Sequence, residues 1–370
     1  MKLFVQIILV ILFLLQGTNT YNAYVIFLLL LLLATNISIK SIKFKLPNYY
    51  TIAVLIYLFY LGIGLSYNHI KPTIDIKFQI FSFIFYFWLL NQRYKIDFLK
   101  LLFIINIIVF IIYILLKVKL LPSLWSENAF GFKGRIYGPA ITAFILIGFY
   151  YLYRGLKFDW KFGVSAALAL SYIAITTNFM NLGIAVGMIL LVIINFKRFF
   201  NPIYFSVIGI LIVCGIVYLQ SSLVPELVQT KLKYVFRPWE YSSLRIRISD
   251  LQKAFRSENF TTLENIFGKG FGASTRIFRD NKIAVSFRGY YTFQEIDNGF
   301  YYIFHRGGVS LMTIFLLSHA YLTYRIPNLK AKLGFILMFI MTNLLSIHYF
   351  NYFFYLLIPF VILTKDNQEK

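Results

Sequence analysis

Between residues 220 and 298 a chain made otherwise of apolar runs becomes polar and rich in arginine. Arg237, Arg245, Arg247, Arg256, Arg276, Arg279 and Arg288 fall in this stretch. Arg306 follows it, and Arg135 lies in a second polar segment at 117–137. A guanidinium stays charged and offers a planar fork matched to phosphate oxygens. The simpler reading of any one arginine is pairing with Glu240, Asp250, Glu258 or Asp280, or contact with anionic headgroups. Arg135 and Arg306 stand apart, because a charge where loop meets apolar run is costly and tends to be functional or paired. Glu295 and Asp297 lie two apart just before residue 299. Such carboxylates can take a proton from a hydroxyl, or favour the start of a helix. His69, His305 and His348 map to one outer boundary and could include a base, but the histidines lack the spacing of a metal site. Neither metal nor cofactor is expected.

The run Gly268-Lys269-Gly270-Phe271-Gly272 looks like a phosphate cradle, yet no Gly-Lys-Ser/Thr follows. It reads as a turn, with approach of backbone to a ligand as the alternative. Tyr290, Tyr291 and Tyr301 could stack on sugar rings or belong to an aromatic belt. Residues 246–255 have helical spacing, with Ile248, Leu251 and Phe255 on one face and Asp250 and Lys253 on the other. One or two amphipathic helices are expected in 220–298.

The elements that must position these groups are apolar. The chain has 370 residues, 59% hydrophobic and 14% charged, with mean hydropathy +0.73. A soluble domain is about 45–50% apolar and about 25% charged. The runs are continuous, which favours helices over barrel strands. The expected fold is an all-α polytopic membrane protein of about twelve spans: 3–18, 22–39, 49–67, 76–92, 98–118, 138–154, 160–177, 179–196, 201–219, 299–324, 329–346 and 348–364. Domain organisation follows: 1–219 carries nine spans and the segment 117–137, 220–298 is one large loop, and 299–370 carries three spans and a tail. Basic residues occupy every second link, including Arg154, Lys157 and Lys161, and Arg325, Lys330 and Lys332. The positive-inside rule then puts both termini in the cytoplasm and the 220–298 loop outside. Topology accounts for most of the net charge of +22, so nucleic acid is not an expected partner. Cys214, the only cysteine, lies in an apolar run and reads as packing.

Four segments together resemble the O-antigen polymerase and ligase superfamily. They are Arg247 to Ala254, Ile266 to Gly272, Asp297 to Tyr301 with Gly307 to Val309, and Gly134 to Pro139. The resemblance covers about 130–310 in order. Ligases usually carry histidine where this chain has Asp297, which favours polymerase. The resemblance implies a Wzy-type glycosyltransferase in the bacterial inner membrane, building O-antigen or capsule from repeat units on undecaprenyl diphosphate. It implies Arg135, Arg247 and Arg306 against the diphosphate, Arg245 next, and Asp297 as base with His305 or Glu295 as alternatives. Gly138, Gly270, Gly272, Asn298, Tyr301 and His348 are expected to bind substrate. Membrane lipid, a chain-length regulator and a flippase are the expected partners. The alternatives are an O-antigen ligase acting on lipid A core and, outside the enzymes, a flippase for lipid-linked oligosaccharide.

Overall fold

The computed structural model describes residues 2–15, 48–68, 98–117, 137–176, 179–194, 237–240, 242–279, 289–294 and 296–345, with isolated positions that include Asp75. The described residues are mostly helical. Helices α1 (Lys2–Leu15), α2 (Asn48–Asn68), α3 (Phe98–Lys117), α4 (Tyr137–Arg154), α5 (Trp160–Thr176) and α6 (Phe179–Ile193) precede the polar stretch. Within it lie α7 (Ser242–Ser257), α8 (Thr262–Phe267), β1 (Thr275–Arg279) and β2 (Gly289–Phe293). Helices α9 (Gly299–Arg325) and α10 (Leu329–Leu345) follow. By length and composition one helix among the described residues is apolar enough to cross a membrane, Gly299–Arg325. The expected spans 22–39, 76–92, 201–219 and 348–364 lie largely or wholly outside the described residues.

Helix α4 is the central post. Ala143, Phe144, Ile145, Leu146, Ile147 and Phe149 are all buried, so the helix is covered on every side. Helices α3, α5, α6 and α10 pack around it. Gly183 and Gly187, one turn apart on α6, receive Met341 and Leu337 of α10, so small residues let these two backbones approach. At the end of α4, the Asn328 amide before α10 donates to the carbonyls of Leu152 (2.8 Å) and Tyr153 (3.0 Å).

The polar stretch holds an antiparallel hairpin that an all-α reading does not contain. Thr275 pairs with Phe293, Ile277 with Tyr291 and Arg279 with Gly289. Thr275 and Ile277 turn inward while Arg276 points out, the period-two pattern of a half-buried strand. Helix α7 packs on this hairpin. Its inward residues include Asp250 and Ala254, whereas Ile248 and Phe255 are 47% and 53% exposed. The expected apolar face is therefore only partly buried. The reason is the Asp250 ion pair with Arg279 on β1, which turns the polar side toward the hairpin.

Helix α9 is the element that organises the site. Asn298 caps its start, with its side chain accepting from the Tyr301 amide at 2.8 Å. At Gly308 the backbone turns left-handed (φ 59°) and the helix breaks. The break releases carbonyls that a continuous helix would bond four residues on. Their donors come from elsewhere: the Lys269 amide reaches His305 O (2.9 Å), the Gly270 amide reaches Arg306 O (2.9 Å), and the Tyr60 hydroxyl reaches Gly307 O (3.2 Å). Thus the glycine-rich turn and α2 plug the gap in α9.

Candidate functional site

Two layers of charge meet at the first turns of α9. The upper layer is accessible. Arg247 Nε of α7 lies 3.1 Å from Asp297 Oδ2, with the two side chains 34% and 51% exposed. Arg245, also exposed, sits two residues before Arg247 on α7. An exposed pair of this kind contributes about 0–1 kcal/mol, so little opposes its opening to a ligand.

The lower layer is sealed. Arg306 Nε lies 3.2 Å from Asp75 Oδ1, and the two side chains are 2% and 1% exposed. Arg306 also donates to Gln294 O and lies over the Tyr302 ring at 4.2 Å. Asp75 accepts further bonds from the Tyr302 hydroxyl and from the Gly272 amide (2.6 Å). Next to this pair, Arg306 Nη1 lies 3.3 Å from His305 Nδ1. A guanidinium only donates, so Nδ1 accepts and Nε2 carries the imidazole proton. That Nε2 faces Thr275 Oγ1 at 3.2 Å and Glu258 Oε1 at 3.5 Å. Glu258 is also paired with Lys269. Burial opposes the charged form of Glu258, but hydrogen bonds from His305 and Lys269 outweigh it and hold the group at about 2. The series Asp75, Arg306, His305, Glu258, Lys269 thus runs unbroken from the first half of the chain to the glycine-rich turn.

No family model matches this chain, and no curated protein matches it. The site is accordingly read from its own geometry.

That geometry redistributes the expected roles. Arg247, Asp297 and Arg245 share the accessible layer. Arg306, expected against a diphosphate, is instead buried and already neutralised by Asp75. His305, expected as an alternative base, is fully buried with both ring nitrogens engaged. Tyr301 does not offer its ring to a sugar: it stacks on the His305 ring (5.4 Å, 23°), and its hydroxyl meets Thr275 Oγ1 at 3.1 Å. The amides of Gly270 and Gly272 are spent on Arg306 O and Asp75, so the turn approaches protein and not a ligand. Asn298 is a cap whose amide donates to Leu344 O at 3.0 Å. Gly138 is in the first turn of α4. His69, Arg135, Glu295 and His348 lie outside the described residues. Among the described residues no group of three or more His, Cys, Asp and Glu side chains gathers.

Sequence reasoning missed Asp75, Lys269 and Thr275 as site residues. Asp75 carried a signal: it is a lone acid at the edge of the apolar run 76–92, where charge is costly and wants a partner. Thr275 carried little: the alternation spans only Thr275 to Ile277, too short to mark a strand. Lys269 had none beyond its place in the glycine-rich turn.

Proposed function

We propose that this protein is a glycosyltransferase that joins oligosaccharide repeat units, carried on undecaprenyl diphosphate, into O-antigen or capsular polysaccharide at the outer face of a bacterial inner membrane. The observation that carries this reading is convergence. Arg247, the 268–272 turn and the segment from Asp297 to Gly308 meet on one broken helix. These are three of the four segments on which the resemblance to O-antigen polymerases rests.

In this reading the helices are membrane spans, about twelve in all, with both termini cytoplasmic. Two observations support it. Large apolar side chains stand exposed along the helices, among them Leu55 and Leu65 of α2 and Leu317 of α9; surface of that kind suits lipid better than water. Asn328, in the link before Lys330, bonds the carbonyls of Leu152 and Tyr153 at the end of α4 that leads into the Lys157 link, and the charge rule assigns both links to one side.

The chemistry then follows from the accessible layer. Asp297 takes the proton from a hydroxyl on the terminal sugar of the incoming repeat unit. The oxygen attacks the anomeric carbon of the donor glycan, and the bond from that carbon to the phosphate oxygen breaks. Charge grows on the departing diphosphate, where Arg247 and Arg245 oppose it. Arg306 acts one step back, as a positioning residue that fixes the α9 break and hence Asp297.

Deletion of the gene in its native strain, with surface glycan resolved by gel, tests the reading. Long ladders should vanish while core bearing a single repeat remains. Core with no repeat points to a ligase or flippase, and an unchanged ladder contradicts glycan assembly.

A further inference from the structure

At the end of α4 away from the α9 break lies a cavity of about 790 Å³ that the proposed chemistry does not use. It is lined by the 155–158 link, the end of α6 and the start of α10. Its walls are of two kinds. Leu156, Phe158, Ile193 and Leu329 line it with apolar side chains that are 41%, 53%, 51% and 61% exposed. Lys157 and Lys330 supply positive charge, and no carboxylate among the described residues lines it. The nearby acid is occupied: Asp159 accepts from the Tyr151 hydroxyl (2.7 Å) and from the Phe162 amide (2.9 Å). Lys330 also donates to Val192 O at 3.4 Å, which fixes it at the cavity wall.

A soluble anion would gain from the lysines and leave the apolar walls in water. A hydrocarbon chain would cover the walls and make no use of the positive charge. One class of ligand fits both. We infer that this cavity binds an anionic phospholipid of the inner leaflet, its phosphate between Lys157 and Lys330 and its acyl chain along Leu156, Phe158, Ile193 and Leu329. Basic pockets between helices at the cytoplasmic surface bind such headgroups. The volume lies within the range of about 300–1,000 Å³ usual for ligand sites. This inference rests on the membrane topology of the reading above and not on its glycan chemistry.

The test uses the full chain in nanodiscs containing equal phosphatidylglycerol and phosphatidylcholine, with retained lipid counted by native mass spectrometry. Wild type should retain phosphatidylglycerol in excess. Lys157→Gln and Lys330→Gln should each lower that preference about fivefold, as expected for one basic residue at a lipid surface. Lys332→Gln, on the same side but not lining the cavity, should leave it unchanged. An equal loss in all three variants would overturn the site in favour of general surface charge. Displacement of the lipid by inorganic phosphate or glycerol phosphate would overturn it in favour of a soluble anion. Sidedness is read separately from Lys157→Cys in a Cys214→Ala background, labelled in oriented vesicles. Cytoplasmic labelling with no lipid preference sinks the site alone, whereas labelling from outside sinks the topology as well.

Discussion

Arg247 and Arg306 carry the same charge and do opposite work. Opening the exposed Arg247–Asp297 pair costs at most about 1 kcal/mol. Removing one partner of the buried Arg306–Asp75 pair costs about 3–5 kcal/mol, because the other charge stays buried and alone. Substitutions should separate the two. Under the proposed function Asp297→Asn keeps shape and removes the base, so polymer formation should fall about a hundredfold or more while protein abundance in membranes stays normal. Arg247→Gln should also lose polymer at normal abundance. Asp75→Asn should instead lower abundance and thermal stability in detergent, and Arg306→Gln added to it should recover part of the loss. Equal stability of Asp75→Asn and wild type would remove Arg306 from the scaffold. Glu258 makes the lower layer sensitive to acid. Its folded value is about 2 against an ordinary 4.5, so its contribution is complete above pH 4.5 and is lost as pH falls toward 2. Limited proteolysis between α7 and β1 should therefore accelerate over that window, and Glu258→Gln should remove the dependence.

Among the elements, the α9 break and the glycine-rich turn stand or fall together. Gly270 has φ 73°, and a Cβ there would overlap the backbone of Gly64 on α2. Left-handed backbone alone costs a non-glycine residue about 1–2 kcal/mol. Gly270→Ala should undock the turn, seen as faster hydrogen exchange at the Lys269 and Gly270 amides. Gly289→Ala, with nothing nearby and no positive φ, is the control that should leave exchange unchanged. Several of these elements were legible in the sequence. The helices at 48–68, 98–117, 137–154, 160–176 and 329–345 end within a few residues of the apolar runs, because hydropathy alone decides them. The α9 break was half legible: Gly307 and Gly308 were visible, but their plug depends on a turn some forty residues earlier. The Asp75–Arg306 pair was not legible, since 231 residues separate its members and periodicity reports only local neighbours. The facing of α7 was misread because Asp250 is bought inward by one arginine on a strand the apolar pattern did not reveal.

At the scale of the whole molecule the chain has two working ends. One holds the Arg247–Asp297 pair over the sealed network, and the other holds the basic cavity by Lys157 and Lys330. The central post α4 and its neighbours lie between them, so in the proposed reading lipid at one end and glycan at the other would not compete. The measurement that tests the central claim most directly uses purified protein in proteoliposomes, supplied with undecaprenyl-diphosphate-linked repeat units and no other enzyme. Products are resolved by gel after release of the lipid. Wild type should convert single repeats into a ladder, and Asp297→Asn of equal thermal stability should leave them single. Single repeats with the wild-type protein, or an undiminished ladder with Asp297→Asn, would contradict the account.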